Sequence, residues 1–331
     1  LLPLFAMQVA DEVIWDFAPG DINGVTGEPY TDDEAIYTVR TPPYMGSQYI
    51  KCLYREYTDS TFTKLKERSE NEGYMGNLGP TIRGEVGDFI RIEYRNGCNF
   101  PNSMHPHGVF YNKDSEGAPY ADGTSGRDKK DDAVPPGGKW TYNWFCPERA
   151  GPASMDGSSA MWMYHSHTDE ATDIQAGLMG FIVITAKGLA NPDGTPFDVD
   201  QELFFNFQIF DGGQSPYFAQ NFAMFGTTPT VPTVGNFAAS NQMHAINGYV
   251  YANGPIVKIK KGSRVRWNIM SMDLHTPHWH GNTFVTDGMR RDGMGLLFAE
   301  MKVVDMVPDN KGIWLYHCHV PAHFQAGMIT K

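Results

Sequence analysis

The chain has 331 residues, 41% hydrophobic and 13% aromatic, which is enough for a substantial core and for two domains. Its formal net charge of −12 argues against nucleic acid and anionic membrane surfaces as partners. No apolar run reaches the roughly 18 residues expected of a membrane-spanning helix.

In chain order, Leu1 to Met7 is apolar but too short, and without the charged flank, for a secretory signal; it reads as a mature or trimmed terminus. Thr61 to Glu72 is the one stretch with a helical pattern. Phe89 to Tyr94, Thr141 to Phe145, Phe181 to Thr185, Leu203 to Ile209 and Arg264 to Ile269 are rich in β-branched and aromatic residues. Clusters of Gly, Pro, Asn and Asp separate them, so they are expected to be strands. Asp122 to Gly138 lacks periodicity and is expected to be a loop. Gly188 to Asp200 concentrates turn residues and is expected to link a first domain, residues 1–190, to a second, residues 200–331. The chain stops three residues after Met328, which leaves room for a missing tail. Cys52, Cys98 and Cys146 are odd in number, so one disulfide or three thiols are both open.

Nine of the eleven histidines fall in four clusters and a tenth lies just after the last. These are His105-Pro-His107, His165-Ser-His167, His275-Thr-Pro-His278-Trp-His280 and His317-Cys318-His319, the last followed by His323 and Met328. On a strand, residues i and i+2 share a face, so each His-x-His presents two imidazoles to one side. In the last cluster Cys318 then points away from His317 and His319, and one tripeptide serves two metal centres. Cys318, His323, Met328 and His275 make a two-imidazole, thiolate and thioether set, which is that of a blue-copper electron-transfer site. The other eight, His105, His107, His165, His167, His278, His280, His317 and His319, exceed the needs of one ion and suit a cluster of about three.

The two halves echo each other. Gly79-Pro-Thr-Ile82, Gly87-Asp-Phe-Ile-Arg-Ile92 and His105-Pro-His-Gly108 parallel Gly254-Pro-Ile-Val257, Gly262-Ser-Arg-Val-Arg-Trp267 and His278-Trp-His-Gly281. Tyr164-His-Ser-His167 and Gln175-Ala-Gly-Leu178 parallel Tyr316-His-Cys-His319 and Gln325-Ala-Gly-Met328. A repeat of this length indicates duplication of a whole domain. Ser166, Asp173 and Leu178 stand where the second half has Cys318, His323 and Met328, so only the second domain is expected to be blue.

These motifs, together with Asn77-Leu-Gly-Pro80, Asp131-Asp-Ala-Val134, Met243-His-Ala-Ile-Asn-Gly248 and Met306-Val-Pro-Asp309, resemble the two-domain, laccase-like multicopper oxidases. The texture is closest to the ceruloplasmin branch. The resemblance implies an all-β fold of two cupredoxin-like Greek-key β-sandwich domains. It implies four copper ions per chain. A type 1 ion would take His275, Cys318, His323 and Met328; a type 2 ion His105 and His278; and two type 3 ions His107, His165, His167, His280, His317 and His319. It further implies O₂ and a small-molecule or metal-ion reductant as partners, an extracytoplasmic location, and a head-to-tail homotrimer with clusters at its subunit interfaces.

Tyr111 and Glu116 follow the first His pair and are candidates for proton supply. His244 matches a substrate-side histidine of the ceruloplasmin branch, but the family's carboxylate positions read Ala239 and Ala322. Hard iron ions favour oxygen ligands, so this departure bears on ferroxidase activity. Phenols, Cu⁺ and small inorganic nitrogen compounds are the other reductant classes. A copper nitrite reductase needs only about three catalytic histidines, and a non-catalytic blue copper carrier needs none of the eight.

Overall fold

The computed structural model describes residues 4–233, 235–286 and 288–331. The chain runs through β1 (Leu4–Asp16), α1 (Asp32–Thr38), β2 (Gln48–Glu56), β3 (Ile82–Glu85) and β4 (Phe89–Asn96). There follow β5 (His105–Pro106), β6 (Phe110–Tyr111), β7 (Lys139–Phe145), β8 (Ser159–His165), α2 (Glu170–Ala176) and β9 (Met179–Thr185). The second half comprises β10 (Gln201–Asp211), α3 (Phe218–Phe225), α4 (Phe237–Ser240), β11 (Gln242–Ile246), β12 (Val265–Ser271) and β13 (Pro277–Trp279). It ends with β14 (Phe284–Thr286), β15 (Met289–Arg291), β16 (Met301–Met306), β17 (Tyr316–Cys318), α5 (Pro321–Gln325) and β18 (Ile329–Thr330). All five strands expected from sequence are present, one to three residues longer in most cases. Leu4 to Met7 opens β1, in parallel register with Ile90 to Glu93 of β4. Leu1–Pro3 of the expected terminus lies outside the described residues.

The chain divides into two compact units, and neither is one contiguous stretch. Unit 1 takes the chain up to Val13, Lys51–Glu67 and Leu78–Asp200; unit 2 takes Ile14–Ile50, Arg68–Asn77 and Gln201–Lys331. Aromatic side chains hold the early segments to unit 2: Phe17 packs on Phe210, and Tyr74 packs on Phe205 while its hydroxyl accepts from the Phe204 amide.

Unit 1 has a five-stranded sheet, β2-β1-β4-β7-β6, and a four-stranded sheet, β3-β9-β8-β5. β4 alternates as a half-buried strand must: Ile90, Ile92 and Tyr94 point inward, while Arg91 and Glu93 pair on the other face. Burying each isoleucine contributes about 2 kcal/mol. β9 is buried along its whole length, which explains its unbroken apolar run. Cys52 and Cys98 are joined in a disulfide, and Cys146 is a buried thiol. Unit 2 repeats the plan with a six-stranded sheet, β11-β10-β12-β16-β14-β15, and a three-stranded sheet, β13-β17-β18.

The helices correct the sequence expectation. Thr61 to Glu72 is not helical: Thr58 N–H donates to Lys64 O in a tight turn, and only a 3₁₀ turn follows at Glu70–Met75. The helices that do form are of eight residues or fewer, too short to leave a periodic trace. α1 still carries a legible signal in Thr31-Asp-Asp-Glu34, a reciprocal capping box. No helix among the described residues is long and apolar enough to cross a membrane.

Candidate metal centre

Each His-x-His straddles a strand end. His105, His165, His278 and His317 lie in β5, β8, β13 and β17, and their partners lie just past those strands. In unit 1, β5 pairs antiparallel with β8 and sets His105 opposite His165. In unit 2, β13 pairs with β17 and sets His278 opposite His317. The result is a four-imidazole set in each unit. His105 lies 5.0 Å from His167 and 5.5 Å from His107 and from His165, between ring centroids. His278 lies 5.1–5.3 Å from His280, His317 and His319.

The hydrogen bonds fix tautomers. His105 Nδ1–H donates to Glu116 O at 2.6 Å, and His278 Nδ1–H to Asp292 O at 2.8 Å. His165 and His317 donate in the same way to the carbonyls of Ser166 and Cys318, at 3.0 and 2.9 Å. All four are left with a bare Nε2 as the ligand atom. The Nε2 atoms of His107 and His165 approach to 3.1 Å, and those of His280 and His317 to 3.0 Å. One ring of each pair can donate to the other, and a cation seated between them would be held by both nitrogens. Burial, reinforced by neighbouring imidazoles, holds His107 and His165 down to about 4, and burial likewise lowers His105, His280 and His317. The rings are therefore neutral near pH 7, as ligands must be.

On the other side of the tripeptide, Cys318 Sγ lies 3.7 Å from the Nδ1 atoms of both His275 and His323, which are 3.1 Å from each other. A trigonal ion with arms of about 2.0 Å to nitrogen and about 2.3 Å to sulfur separates its donors by about 3.5–3.7 Å, so this triad fits one soft ion. Met328 is fully buried, and its backbone bonds to both neighbours: its carbonyl accepts from Cys318 N and its amide donates to His323 O. Burial pushes the Cys318 thiol up, but His275 and the amides of Thr276 and Val320 outweigh it, and the thiol sits below its ordinary value.

Unit 1 holds the same frame with other side chains. Ser103 N–H reaches Ser166 Oγ at 3.1 Å where Thr276 N–H reaches Cys318 Sγ at 3.4 Å. Ser166 N donates to Leu178 O where Cys318 N donates to Met328 O, both at 3.1 Å. Ser166 Oγ donates to Asp173 Oδ2 at 2.6 Å, and Asn102 occupies the position of His275. A satisfied hydrogen-bond network stands where unit 2 has soft ligands.

Of the remaining sequence candidates, Tyr111 sits edge-on to His105 at 5.9 Å. Glu116 meets His105 through its carbonyl; its carboxylate is held by Lys113 and Tyr120. His244 lies 5.1 Å from His323, ring to ring. Sequence reasoning missed Glu170, whose carboxylate reaches 3.4 Å from His167 Nε2 and 3.8 Å from His165 Nε2. It also missed Trp162 and Trp314, which pack under the glycines of the two His-x-His-Gly motifs. The repeated Trp-x-Tyr-His held that second signal.

Two β-units, each with a set of four imidazoles and one with a thiolate–imidazole triad, carry the donor types of a copper protein of the blue-oxidase class. Models of the multicopper oxidase family match residues 61–188 and 226–331, and the chain belongs to that family. Ferroxidase HEPHL1 of Homo sapiens is 40% identical over 97% of this chain, and hephaestin of Homo sapiens is 37% identical over 96%. Ceruloplasmin of Rattus norvegicus is 36% identical over 97%. The chain spans 28%, 28% and 31% of those three proteins. Among solved structures, the multicopper oxidase mgLAC superposes with a TM-score of 0.63 at 17% identity, covering 99% of this chain and 84% of its own. The blue copper oxidase from Nitrosomonas europaea gives 0.58 at 16% identity, covering 99% and 84%. The fold is thus all-β and cupredoxin-like.

Proposed function

We propose that the chain couples one-electron oxidation of a small reductant at the Cys318 site to four-electron reduction of O₂ to water at a cluster built from the eight histidines. The observation that carries this reading is the His317-Cys318-His319 tripeptide, with its thiolate in one donor set and its imidazoles in another. Copper bound at these positions supplies one-electron redox chemistry, one ion at the first set and three at the second. Cys318, His275, His323 and Met328 would hold the single ion; His105 and His278 one of the three; and His107, His165, His167, His280, His317 and His319 the other two. Cys318 and the backbone it shares with its neighbours connect the sites.

Each unit offers four of the eight imidazoles, so a complete cluster needs a unit 1 face opposed to a unit 2 face. We propose that neighbouring chains supply them in a head-to-tail homotrimer, a heterologous contact that closes into a ring. The Cys52–Cys98 disulfide supports an extracytoplasmic location. On the reductant side, the relatives named as ferroxidases favour Fe²⁺, and His244 beside His323 is the proposed substrate-side residue. Ala239 and Ala322 offer no oxygen ligand there, which favours an organic or softer reductant. Tyr111 and the carbonyl-anchored Glu116 lie on the proposed proton side of His105.

Copper counting on the loaded protein tests this reading. Four ions per chain is the expected result. Two would favour a nitrite-reductase-like enzyme and one a blue copper carrier, and either would overturn the oxidase. O₂ uptake with Fe²⁺, Cu⁺, a phenol and hydroxylamine then selects the reductant.

A further inference from the structure

We infer that Tyr37 and His244 form the inlet through which an electron from a docked reductant reaches the Cys318–His275–His323 site, an inference that rests on the copper reading above. Tyr37 lies in the last turn of α1, half-exposed, in a helix fixed at its start by the Thr31 amide donating to Glu34 Oε2 at 2.9 Å. Its ring stands edge-on to His244, 6.4 Å between centroids at 79°. His244, on β11, lies 5.1 Å from the His323 ring, and His323 Nδ1 lies 3.7 Å from Cys318 Sγ.

Three rings thus run from a solvent-facing helix to the soft-ligand site with no aliphatic gap. Backbone pairing holds the middle ring in register, His244 opposite Ile209 of β10. Ala239 and Ala322 are exposed and project only methyl groups, and Ala322 directly precedes His323 in the chain. Asp33, exposed one helical turn before Tyr37, adds negative charge at the rim and would draw a cationic or hydrogen-bond-donating reductant. The step balances simply. With copper bound, one electron from the reductant would reduce the cupric ion that Cys318, His275 and His323 would hold, while Tyr37 and His244 end unchanged and any proton lost by the oxidised reductant goes to solvent.

The test uses the copper-loaded full chain without oxygen, with hydroquinone as the probe and bleaching of the blue absorption as the readout. Copper content, the position of the blue band and its reduction potential are measured on each variant. Tyr37→Leu and His244→Leu are expected to slow bleaching about 10-fold, the scale of one lost aromatic contact. Tyr37→Phe keeps the ring and is expected to stay within about twofold of the parent rate. Band position, potential and copper content should not move in any of the three. A Tyr37→Leu variant that bleaches at the parent rate overturns the inference, because the reductant then meets His323 directly. So does a slowed variant whose band or potential has shifted, because the substitution then acts through the ligands. A parent protein that loads copper without turning blue overturns the copper reading itself, an outcome distinct from both.

Discussion

His317 and Cys318 are joined twice: by their peptide bond, and by a 2.9 Å hydrogen bond from His317 Nδ1 to the Cys318 carbonyl oxygen. His165 and Ser166 repeat the pattern at 3.0 Å, so the link belongs to the strand end and not to the thiolate. What differs is the side chain at the middle position and what surrounds it. In unit 2 two imidazoles and a buried thioether residue converge there; in unit 1 a hydroxyl is held by a carboxylate. One duplicated frame thus carries two chemistries, and only one of them suits a redox metal.

That frame already accommodates a hydroxyl, which makes Cys318→Ser a clean variant. It is expected to fold, to lose the blue absorption and turnover, and to retain three of the four proposed coppers. His165→Ala is expected to do the reverse, keeping the colour and losing O₂ reduction. Visible absorption, metal content and O₂ uptake measure both. Intense blue colour persisting in Cys318→Ser would remove the thiolate from the ligand set.

Gly108 and Gly281 close the two His-x-His-Gly motifs at φ +77° and +66°, conformations that a side chain strains. A Cβ on Gly108 would lie 2.2 Å from the Trp162 ring, whereas on Gly281 the nearest Trp314 atom is 2.9 Å away. Trp162 is also pinned by its indole N–H donating to Ala150 O at 2.7 Å, against 3.2 Å for Trp314 to Asn310 O. Gly108→Ala is therefore expected to cost about 3 kcal/mol and Gly281→Ala about 1–2 kcal/mol. Chemical denaturation of the two variants measures the difference, and equal losses would contradict the role given to the indole.

The metal side of this molecule was unusually legible because its ligands sit two apart on strand ends, where spacing alone dictates a shared face. The two four-histidine sets were readable for that reason, while the Cys318 triad was read from its donor types and from the family resemblance. The excursions of Ile14–Ile50 and Arg68–Asn77 into unit 2 were not, since Phe17 and Tyr74 look like ordinary core residues until their partners near residues 204–210 are known. Glu116 was singled out for its carboxylate, yet it contributes a carbonyl, which no residue identity can announce. The Cys52–Cys98 pairing depended on β2 and the turn after β4 meeting in space, so three cysteines left it open.

In the metal-free protein Asp131 and Asp173 are expected to withdraw stability as pH rises from about 4 to about 6, opposing His107 and His165, which burial holds at about 4 and which add stability over the same range. Burial raises both Asp131 and Asp173 to about 6, so the folded chain keeps protons that the unfolded chain, near 4, has lost. On folding these two groups take up protons in that window. The contribution of each group is therefore fully present below it, and declines as pH rises to about 6. For Asp173 the loss is about 2 kcal/mol. Asp173→Asn keeps an acceptor for Ser166 and the Asp169 amide but has no proton to lose, so over that window its stability should fall less, or rise more, than the parent's. Denaturation curves of parent and variant at pH 4 and pH 7 decide this; the same change in both would place the titration elsewhere.

Denatured without reductant, the protein is expected to show two reactive thiols, Cys146 and Cys318, out of four cysteines. Cys146 is the slower of the two in the native, metal-free state, because burial pushes its thiol up to about 12 and leaves almost no thiolate at neutral pH. Cys318, lowered by His275 and two amides, should react first despite its burial. Reducing Cys52–Cys98 opens a loop of 46 residues and is expected to cost about 2–4 kcal/mol; both cysteines lie in unit 1, and the loop between them includes Arg68–Asn77 of unit 2. Because the triad lies wholly in unit 2, the reduced, copper-loaded protein should keep its blue absorption while its unfolding midpoint drops. A count of four thiols before reduction would show that the pairing does not form in solution.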